Sequence, residues 1–387
     1  MNPPKHILPV IVIAQFFCTS LWFAGNGVMG DLAINFGLKP NALGHLTSAV
    51  QFGFITGTLL FAIFTLTDRY SPSKVFLISA LLGALCNAGV IWQGNTLISI
   101  LGLRFLTGFF LAGIYPVGMK IAADYYDKGL GKSLSYLVGA LVVGTALPHL
   151  LKGFTGIFSW QSVLLTTSTL AVLGGLLLVT LVPNGPYRKS SSSLNFTACF
   201  TIFKKPNFRA AALGYFGHMW ELYVFWAFVP VMLQTHALVH GNIGLNIPIL
   251  SFIIIALGGL SCVFGGYVSQ KMGVKKTAAT ALLLSGICCD ASSIFFMVSS
   301  EIVFLGFLVF WGMVVVADSP LFSTLVAQNA PLEIKGTALT IVNCIGFSIT
   351  IVSLQLVTML QPIVQFNYLY LILAIGPILG LLGLFRK

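Results

Sequence analysis

Long apolar runs, separated by short polar segments, fill the sequence from one end to the other. A helix needs about 18 to 20 apolar residues to cross a hydrocarbon core of about 30 Å, and twelve runs reach that length. They predict twelve membrane-spanning helices. The predicted bounds are 7–29, 44–66, 74–93, 99–121, 131–152, 160–183, 209–234, 246–269, 276–298, 302–327, 336–359 and 362–385.

Composition agrees with this pattern. Of the 387 residues, 57% are hydrophobic and 7% are charged, and the mean hydropathy is +0.97. Soluble domains carry about 25% charged residues. We therefore expect an all-α integral membrane protein.

The first apolar run follows Lys5, an order that secretory signal peptides also show. No small-residue cleavage site follows a short apolar core, and Gln15, Thr19 and Asn26 continue the segment. We expect an uncleaved first span.

The net charge of +11 predicts the orientation in the membrane. Cytoplasmic loops hold most of the Lys and Arg residues of membrane proteins. With a cytoplasmic N-terminus, 17 of the 20 basic residues fall on the cytoplasmic side, whereas Lys39 and Lys152 fall outside and Arg104 lies within a span. Both termini are thus predicted to be cytoplasmic, in a cytoplasmic membrane, and we expect no nucleic-acid partner.

The seven cysteines form no CxxC pair and no His/Cys cluster with metal spacing. They are interpreted as small packing residues. No Walker motif or nucleotide-binding loop is present either, which argues against a pump driven by ATP. We expect neither a metal nor a cofactor.

The longest polar break, 184–208, divides six predicted spans from six. It contains a serine run followed by Phe196, Phe200 and Phe203, which predicts a flexible linker and then a short helix on the inner membrane face. The predicted organisation is an N-terminal bundle (1–183), this linker (184–208) and a C-terminal bundle (209–387).

Two loops at matching positions of the halves indicate an internal repeat: FTLTDRYSPSK (64–74) and GYVSQKMGVKK (266–276). Each resembles part of the inner-loop signature of the major facilitator superfamily. Phe64 and Ser71 replace the signature's glycines in the first copy, and Gln270 and Lys271 replace its Asp-Arg in the second. The matching residues are Asp68, Arg69 and Lys74 in the first copy and Gly266, Gly273, Lys275 and Lys276 in the second.

The fourth predicted span, LRFLTGFFLAGIYPVG (103–118), is also similar to this family. Its Arg104 and Gly108 resemble the arginine-glycine motif of proton-linked facilitators. The fifth span, GALVVGTALPHLLKG (139–153), resembles the family's antiporter motif only loosely, because the Gly-Pro pair is absent.

The resemblance implies a fold of two pseudo-symmetric six-helix bundles with a solute cavity at the membrane midplane and transport by alternating access. It also implies that the inner loops act as a conformational latch. The residues assigned to the latch are Asp68, Arg69, Lys74, Gly273 and Lys275.

Ionisable residues inside the spans are candidates for proton coupling, because a charge at the bilayer centre costs at least about 2.5 to 3.5 kcal/mol. Glu221 lies near the middle of the seventh span, and His218 lies one turn before it on the same face. Removal from water favours the neutral form of a carboxylic acid, a property that a coupling site needs. The coupling candidates are Glu221, Asp318 and His218, and Asp290 ranks below Asp318.

Polar residues of the first span share one helical face and are candidates for contact with a solute. Plain hydrogen bonding between helices is the alternative for the lesser candidates. Arg104 could bind an anionic solute or neutralise Asp31 or Asp318, and Lys120 and Asp124 are expected to form a local ion pair. The cavity candidates are Gln15, Thr19, Trp22, Asn26, Arg104, Tyr115, Tyr215 and Asn343.

The favoured function is secondary active transport of a small solute, with proton-coupled uptake through Glu221 and a monomer in the bilayer. A proton-linked exporter of drugs or metabolites is the alternative. A membrane-embedded enzyme that uses His149, His218 or Asp31 is a remote one, because no nucleophile and base stand together in the sequence.

Overall fold

The computed structural model describes residues 4–39, 41–126, 130–154, 159–188, 201–241, 244–331 and 334–386; at 130–132 the description is of the backbone alone. These residues are almost entirely helical, and no strand occurs among them. The chain divides into two compact units, Met1–Leu194 and Asn195–Lys387.

The first unit contains ten described helices. They are α1 (Ile7–Thr19), α2 (Ala24–Gly27), α3 (Met29–Phe36), α4 (Ala42–Ile63), α5 (Leu66–Arg69), α6 (Pro72–Gly89), α7 (Leu97–Leu111), α8 (Tyr115–Tyr125), α9 (Leu130–Gly153) and α10 (Trp160–Leu181).

In the second unit the described residues form eight α-helices and a 3₁₀ turn at Tyr370–Ala374. The α-helices are α11 (Pro206–His240), α12 (Ile247–Met272), α13 (Val274–Phe295), α14 (Glu301–Ala317), α15 (Ser319–Asn329), α16 (Lys335–Leu360), α17 (Phe366–Leu369) and α18 (Ile375–Phe385).

The all-α, membrane-spanning architecture predicted from the sequence is confirmed. The described residues contain 11 helical segments long and apolar enough to cross a membrane, and α1 is a shorter apolar helix. The first predicted span, 7–29, is not a single helix. Helix α1 ends at Thr19, and a turn at 20–23 precedes α2.

Two further spans are interrupted at corresponding places. Helices α7 and α8 meet at Gly113 and count together as one span, as do α14 and α15, which meet at Asp318. In each case a proline, Pro116 or Pro320, lies in the first turn of the second helix. Proline is tolerated there because the first amide groups of a helix have no partner within it.

Close helix contacts at glycines repeat between the units. A Cβ atom on Gly108 of α7 would lie 2.0 Å from the carbonyl oxygen of Val50 in α4, and one on Gly312 of α14 would lie 2.5 Å from that of Ile254 in α12. The glycine pair (108 and 312) and the proline pair (116 and 320) have the same separation, 204 residues. Each unit therefore uses the same device to join its second span to its fourth.

The predicted division at 184–208 stays a prediction. Residues 189–200, including Phe196 and Phe200, lie outside the described part of the chain. The segment 182–188 is described, and it is bonded to the first unit, as shown below.

Backbone contact between α4 and α7 leads to a prediction about stability. A Cβ atom on Gly53 would lie 1.9 Å from the carbonyl oxygen of Phe105, whereas one on Gly102 of α7 would meet nothing within 4 Å. Gly53→Ala should lower the melting temperature of the detergent-purified protein, since overpacking costs about 1–3 kcal/mol. Gly102→Ala is the matched control and should keep or raise it, by about 0.5–1 kcal/mol of helix stability. Equal melting temperatures would contradict the close packing of α4 on α7.

Candidate functional site

A cluster of buried ionisable groups lies inside the second unit. Glu221 and His218 on α11, and Asp318 between α14 and α15, are each at most 1% exposed. The indole of Trp311 on α14, which is also fully buried, donates a hydrogen bond from Nε1 to Glu221 Oε1 at 2.5 Å. The three residues predicted as coupling candidates are therefore packed into one interior.

The helices explain why these side chains meet. His218 and Glu221 are three residues apart on α11 and so lie on one face of that helix. Asp318 occupies the position between α14 and α15, where it is the N-cap residue of α15. There His218 Nδ1 lies 2.8 Å from Asp318 Oδ1.

The walls of the cluster are apolar or weakly polar. Phe225 of α11 packs against the Trp311 ring, with the ring centres 4.9 Å apart. Ser285 and Cys289 of α13 lie beside the Glu221 carboxyl group. An acid in such surroundings is far from bulk water, so its ionised form depends on the few polar groups that reach it.

Several polar atoms of the cluster keep unused hydrogen-bonding capacity. Among the described residues, Glu221 Oε2, His218 Nε2 and Asp318 Oδ2 have no hydrogen-bond partner. An unsatisfied buried polar atom costs about 1–3 kcal/mol. Several such atoms therefore lie close together inside the second unit.

Asp290 lies elsewhere. It is exposed on α13, while Asp318 is fully buried. The lower rank expected for Asp290 agrees with this placement.

Arg104 is buried in the first unit, where it binds the turn between α1 and α2. It is 1% exposed, and its guanidinium donates to the carbonyl oxygens of Leu21 (3.2 Å) and Trp22 (2.5 Å) and to Asn87 Oδ1 (3.1 Å). The guanidinium therefore adds donors at the turn after α1, where the Leu21 carbonyl also accepts from the Ala24 amide at 3.5 Å.

Of the two alternatives for Arg104, pairing with Asp31 or Asp318 does not occur among the described residues. Asp31 instead forms an ion pair with Lys152 at 2.7 Å, and Asp318 contacts His218. Arg104 contacts the backbone carbonyls of Leu21 and Trp22 instead of an acid.

The polar face of the first span packs against other helices of its unit. Thr19 Oγ1 donates to the carbonyl oxygen of Gln15 at 2.8 Å. Asn26 Nδ2 donates to Thr47 Oγ1 of α4 at 2.8 Å. Asn26 thus has the interhelical role that was the alternative to solute contact.

Trp22 and Gln51 connect α4 with the interruption of the first span. Trp22 Nε1 donates to Gln51 Oε1 at 3.3 Å, and the Trp22 ring centre lies 4.8 Å from that of Phe54. Tyr115, the first residue of α8, approaches Trp22 edge-on at 6.4 Å. Gln51 and Phe54 of α4 and Tyr115 of α8 therefore surround the Trp22 indole.

The remaining cavity candidates lie in the second unit. Tyr215 is 5% exposed, its ring lies 6.1 Å from that of His218, and it packs against Gly346 of α16. Asn343, one turn before Gly346, is half-buried. Tyr215 thus joins the acid cluster, and Asn343 is on the neighbouring helix.

Sequence reasoning missed two participants, Trp311 and Gln51. Both stand within apolar runs, and nothing in their spacing marks them. Gln51 could have been noticed as an amide inside a predicted span, whereas a tryptophan in a span is ordinary.

The loop that carries Asp68 forms the second polar assembly of the first unit. Asp68 forms an ion pair with Lys120 of α8. The predicted local pair of Lys120 with Asp124 is wrong, because the Lys120 ammonium group reaches across to this loop. Arg69 and Lys74 are exposed.

Residues 182–188, called the strap below, are bonded to this loop and to its neighbours. Arg188 Nη2 donates to the carbonyl oxygens of Asp68 (3.0 Å) and Tyr70 (2.9 Å). Further contacts join Ser73 Oγ to the Val182 carbonyl (2.9 Å), Tyr125 Oη to the Pro183 carbonyl (2.6 Å) and Ser71 Oγ to Asn184 Oδ1 (2.9 Å). This part of the predicted flexible linker is therefore fixed to the first unit.

The corresponding loop of the second unit turns at Gly273. Its φ of +86° is a left-handed conformation that favours glycine, and it separates α12 from α13. Lys275 lies with its ammonium group 5.3 Å from the centre of the Phe385 ring. The two copies of the loop signature thus have different partners.

The fold and the buried polar clusters define a class: a multi-pass membrane protein with ionisable groups inside its helical units. A family model described as the Major Facilitator Superfamily matches residues 11–354. The chain belongs to the Major Facilitator Superfamily, a family of transporters.

Three relatives illustrate this similarity. The 4-hydroxybenzoate transporter PcaK of Pseudomonas aeruginosa is 31% identical over 183 residues, which are 46% of this chain and 38% of PcaK. The proton:xylose symporter XylE has a TM-score of 0.74 at 16% identity, with 97% of this chain and 94% of that chain covered. The nucleoside transporter NupG has a TM-score of 0.72 at 15% identity, with 98% and 100% covered.

These matches have different weight. The chain spans about two fifths of the length of the curated relatives it matches. The likeness to XylE and NupG shows the fold alone.

Arg188 provides a prediction for the strap. Arg188→Ala removes a charged donor from two carbonyls, and bonds to charged groups contribute about 1.5–3 kcal/mol. Amide hydrogen exchange of residues 65–75, measured by mass spectrometry, should then accelerate about tenfold. Arg69→Ala, in the same loop but exposed, is the control and should leave exchange unchanged. Slow exchange in both variants would show that the strap does not hold the loop.

Proposed function

We propose that this chain is a secondary active transporter that carries a small solute across the cytoplasmic membrane by alternating access, with uptake coupled to protons through Glu221. The observation that carries the proposal is the buried contact of Trp311 with Glu221, beside the His218–Asp318 pair. A proton is the co-transported ion, and the remaining partners are the solute and the lipid bilayer.

The contact with Trp311 suits a carboxyl group that gains and loses a proton. An indole N–H is only a donor, and the oxygen it meets can accept in the ionised acid and in the neutral acid. The hydrogen bond from Trp311 to Glu221 can therefore persist whether or not the carboxyl group carries its proton. Charge, and not side-chain position, is what changes.

The cost of burying a charge supplies the coupling. Inside the closed cluster an unpaired carboxylate is costly, so Glu221 should be neutral there. A state in which water reaches the cluster lowers that cost and lets the proton leave. A solute that binds one of these states better than the other shifts the equilibrium between them.

His218 and Asp318 form a second group able to hold a proton. Their contact at 2.8 Å lets the proton reside on the imidazole or on the carboxyl group. Because the pair lies one helical turn from Glu221, we propose that it sets the charge that Glu221 experiences.

The relatives give modest support. XylE, which has this fold, is a proton:xylose symporter, so the architecture is compatible with proton-coupled uptake. PcaK is a 4-hydroxybenzoate transporter, which makes an aromatic acid one candidate solute.

The alternative is a proton-linked exporter of drugs or metabolites. The loose antiporter motif of the fifth span argues for uptake: Gly144 is present and packs on Thr19, but the Gly-Pro pair is absent. An enzyme is the remote alternative. Its candidate Asp31 is paired with Lys152, and His218 is engaged with Asp318.

We further propose cytoplasmic termini, because the basic residues favour them, and a monomer as the working unit. The loop at 64–74 then lies on the cytoplasmic side. There the Asp68–Lys120 pair, together with the strap, forms the latch of one transport state.

The latch proposal predicts the behaviour of Asp68. Asp68→Asn removes the ion pair with Lys120 but keeps the backbone carbonyl that Arg188 contacts, so transport in proteoliposomes should fall several-fold at an almost unchanged melting temperature. The Asn side chain keeps the shape of Asp and an acceptor oxygen for Lys120, hence the small effect on stability. Exchanging the charges in Asp68→Lys with Lys120→Asp should restore part of the rate. Normal transport by Asp68→Asn would refute the latch.

The coupling proposal predicts the behaviour of Glu221. Glu221→Gln imitates the neutral acid, so accumulation driven by a pH gradient should be lost, whereas exchange of labelled for unlabelled solute should remain. A thermal-shift screen of sugars, organic acids, amino acids and cations supplies the solute, because binding stabilises the folded state. Asp290→Asn, an exposed acid of the same unit, is the control and should accumulate solute normally.

A second readout needs no solute. The emission of Trp311 should change with pH in the wild-type protein and in Asp290→Asn, and this component should vanish in Glu221→Gln and in Trp311→Phe. Full accumulation by Glu221→Gln would remove Glu221 from the coupling mechanism.

A further inference from the structure

Two glutamine side chains of the first unit are fully buried with hydrogen-bonding capacity left unused. Gln15 of α1 and Gln51 of α4 are both 0% exposed. Within the described residues, neither amide atom of Gln15 has a hydrogen-bond partner, and Nε2 of Gln51 has none. Two NH₂ groups and one carbonyl oxygen thus have no hydrogen-bond partner.

Contacts through α8 and Trp22 link the two glutamines. Gln51 Oε1 accepts from Trp22 Nε1 at 3.3 Å, and Tyr115 lies edge-on to Trp22 at 6.4 Å. One helical turn beyond Tyr115, a Cβ atom on Gly118 would lie 2.3 Å from Gln15 Oε1. Because Gly118 has no side chain, the Gln15 amide can occupy this space.

The indole also orients Gln51. Because Trp22 Nε1 is only a donor, it fixes the oxygen of the Gln51 amide on its own side and directs the NH₂ group away from itself. Gln51 thus presents two N–H donors, and Gln15 presents both donors and an acceptor.

Another buried amide of the same unit shows what a structural role looks like. Asn87 is also 0% exposed. Its Nδ2 donates to the Leu164 carbonyl, Thr167 Oγ1 and Ser168 Oγ at 3.0–3.1 Å, and its Oδ1 accepts from Arg104. Since burial of an unsatisfied polar group costs about 1–3 kcal/mol, Gln15 and Gln51 are costly to the fold alone, unlike Asn87.

The chemistry of the unused atoms defines the ligand. Amide groups are neutral and offer donors and acceptors together, which matches hydroxyl groups, since each hydroxyl donates once and accepts twice. The nearby cation, Arg104, is committed to the carbonyls of Leu21 and Trp22. An anionic solute would therefore lose its hydration here without gaining an opposite charge.

We propose that Gln15 and Gln51 form a subsite for an uncharged, hydroxyl-bearing solute. The inference rests on the proposed transport function and narrows it to a substrate class. The two glutamines are specificity-determining residues, and they bind the solute through its hydroxyl groups.

The first test uses stability without any ligand. Gln15→Met keeps the side-chain length and removes an amide that has no partner, so the melting temperature of the full-length purified protein should stay unchanged or rise. Gln51→Met also removes the acceptor of Trp22 Nε1, so it should lower the melting temperature by less than the control does. Asn87→Leu is the matched control and should lower it, because its partners lose their bonds. A melting temperature of Gln15→Met as low as that of Asn87→Leu would overturn the proposal, since the Gln15 amide would then be structural.

The second test measures binding to the same proteins. The probes are D-xylose, myo-inositol and uridine, which are neutral and carry hydroxyls, and 4-hydroxybenzoate, which is an anion. At least one neutral probe should bind the wild-type protein in isothermal titration, and each methionine variant should weaken that binding at least tenfold. Binding of 4-hydroxybenzoate alone, no binding of any neutral probe, or undiminished binding by the variants would each overturn the proposal.

The outcome is separable from that of the transport proposal. Proteoliposomes report accumulation of the neutral probe that binds, with Glu221→Gln measured in parallel. Binding that depends on the glutamines, without any transport, would overturn the transporter and support the subsite. Transport that is indifferent to the glutamines would overturn the subsite and support the transporter.

Discussion

The bond between the Arg104 guanidinium and the carbonyl groups at Leu21 and Trp22 is the interaction on which the first unit depends. A helix that stops inside a membrane leaves carbonyls without partners, and lipid offers none. Arg104 donates to two carbonyls there from α7 and so stabilises the turn at 20–23. That turn places Trp22 between α4 and α8, where it meets Gln51 and Tyr115. The turn at 20–23 therefore determines both the packing of Trp22 and its hydrogen bond with Gln51.

The second unit uses an interruption in a different way. Its fourth span is interrupted at Asp318, and no Lys or Arg side chain from another helix binds this interruption among the described residues. The interruption places the Asp318 carboxyl group beside His218 of α11. The position 204 residues after Arg104 is Leu308, an apolar residue. Duplicated architecture has thus kept its glycine and proline positions while the charges diverged. The first unit buries the cation Arg104 and two glutamine amides, and the second buries the acids Glu221 and Asp318.

Much of the architecture was predictable because it follows from local properties of the chain. Apolar length predicts spans, and the spacing of His218 and Glu221 predicts a shared helix face. What could not be predicted depends on contacts between distant segments. The turn after Thr19 is stabilised by hydrogen bonds from Arg104, which lies 85 positions later in the sequence. Likewise, Lys120 was assigned to the acid nearest in sequence, but it is the packing of α8 against the loop that selects Asp68.

The number of hydrogen-bond partners of a buried polar side chain distinguishes structural from functional residues better than its exposed fraction does. Asn87, Gln15 and Glu221 are all at most 1% exposed, so exposure treats them alike. Asn87 has partners on both amide atoms, and its retention is explained by the fold. Gln15 and Glu221 retain atoms that no described residue satisfies, and the fold alone would favour apolar residues in their places. We propose that these atoms serve groups that arrive from outside: a hydroxyl group of the solute at Gln15, and a proton at Glu221.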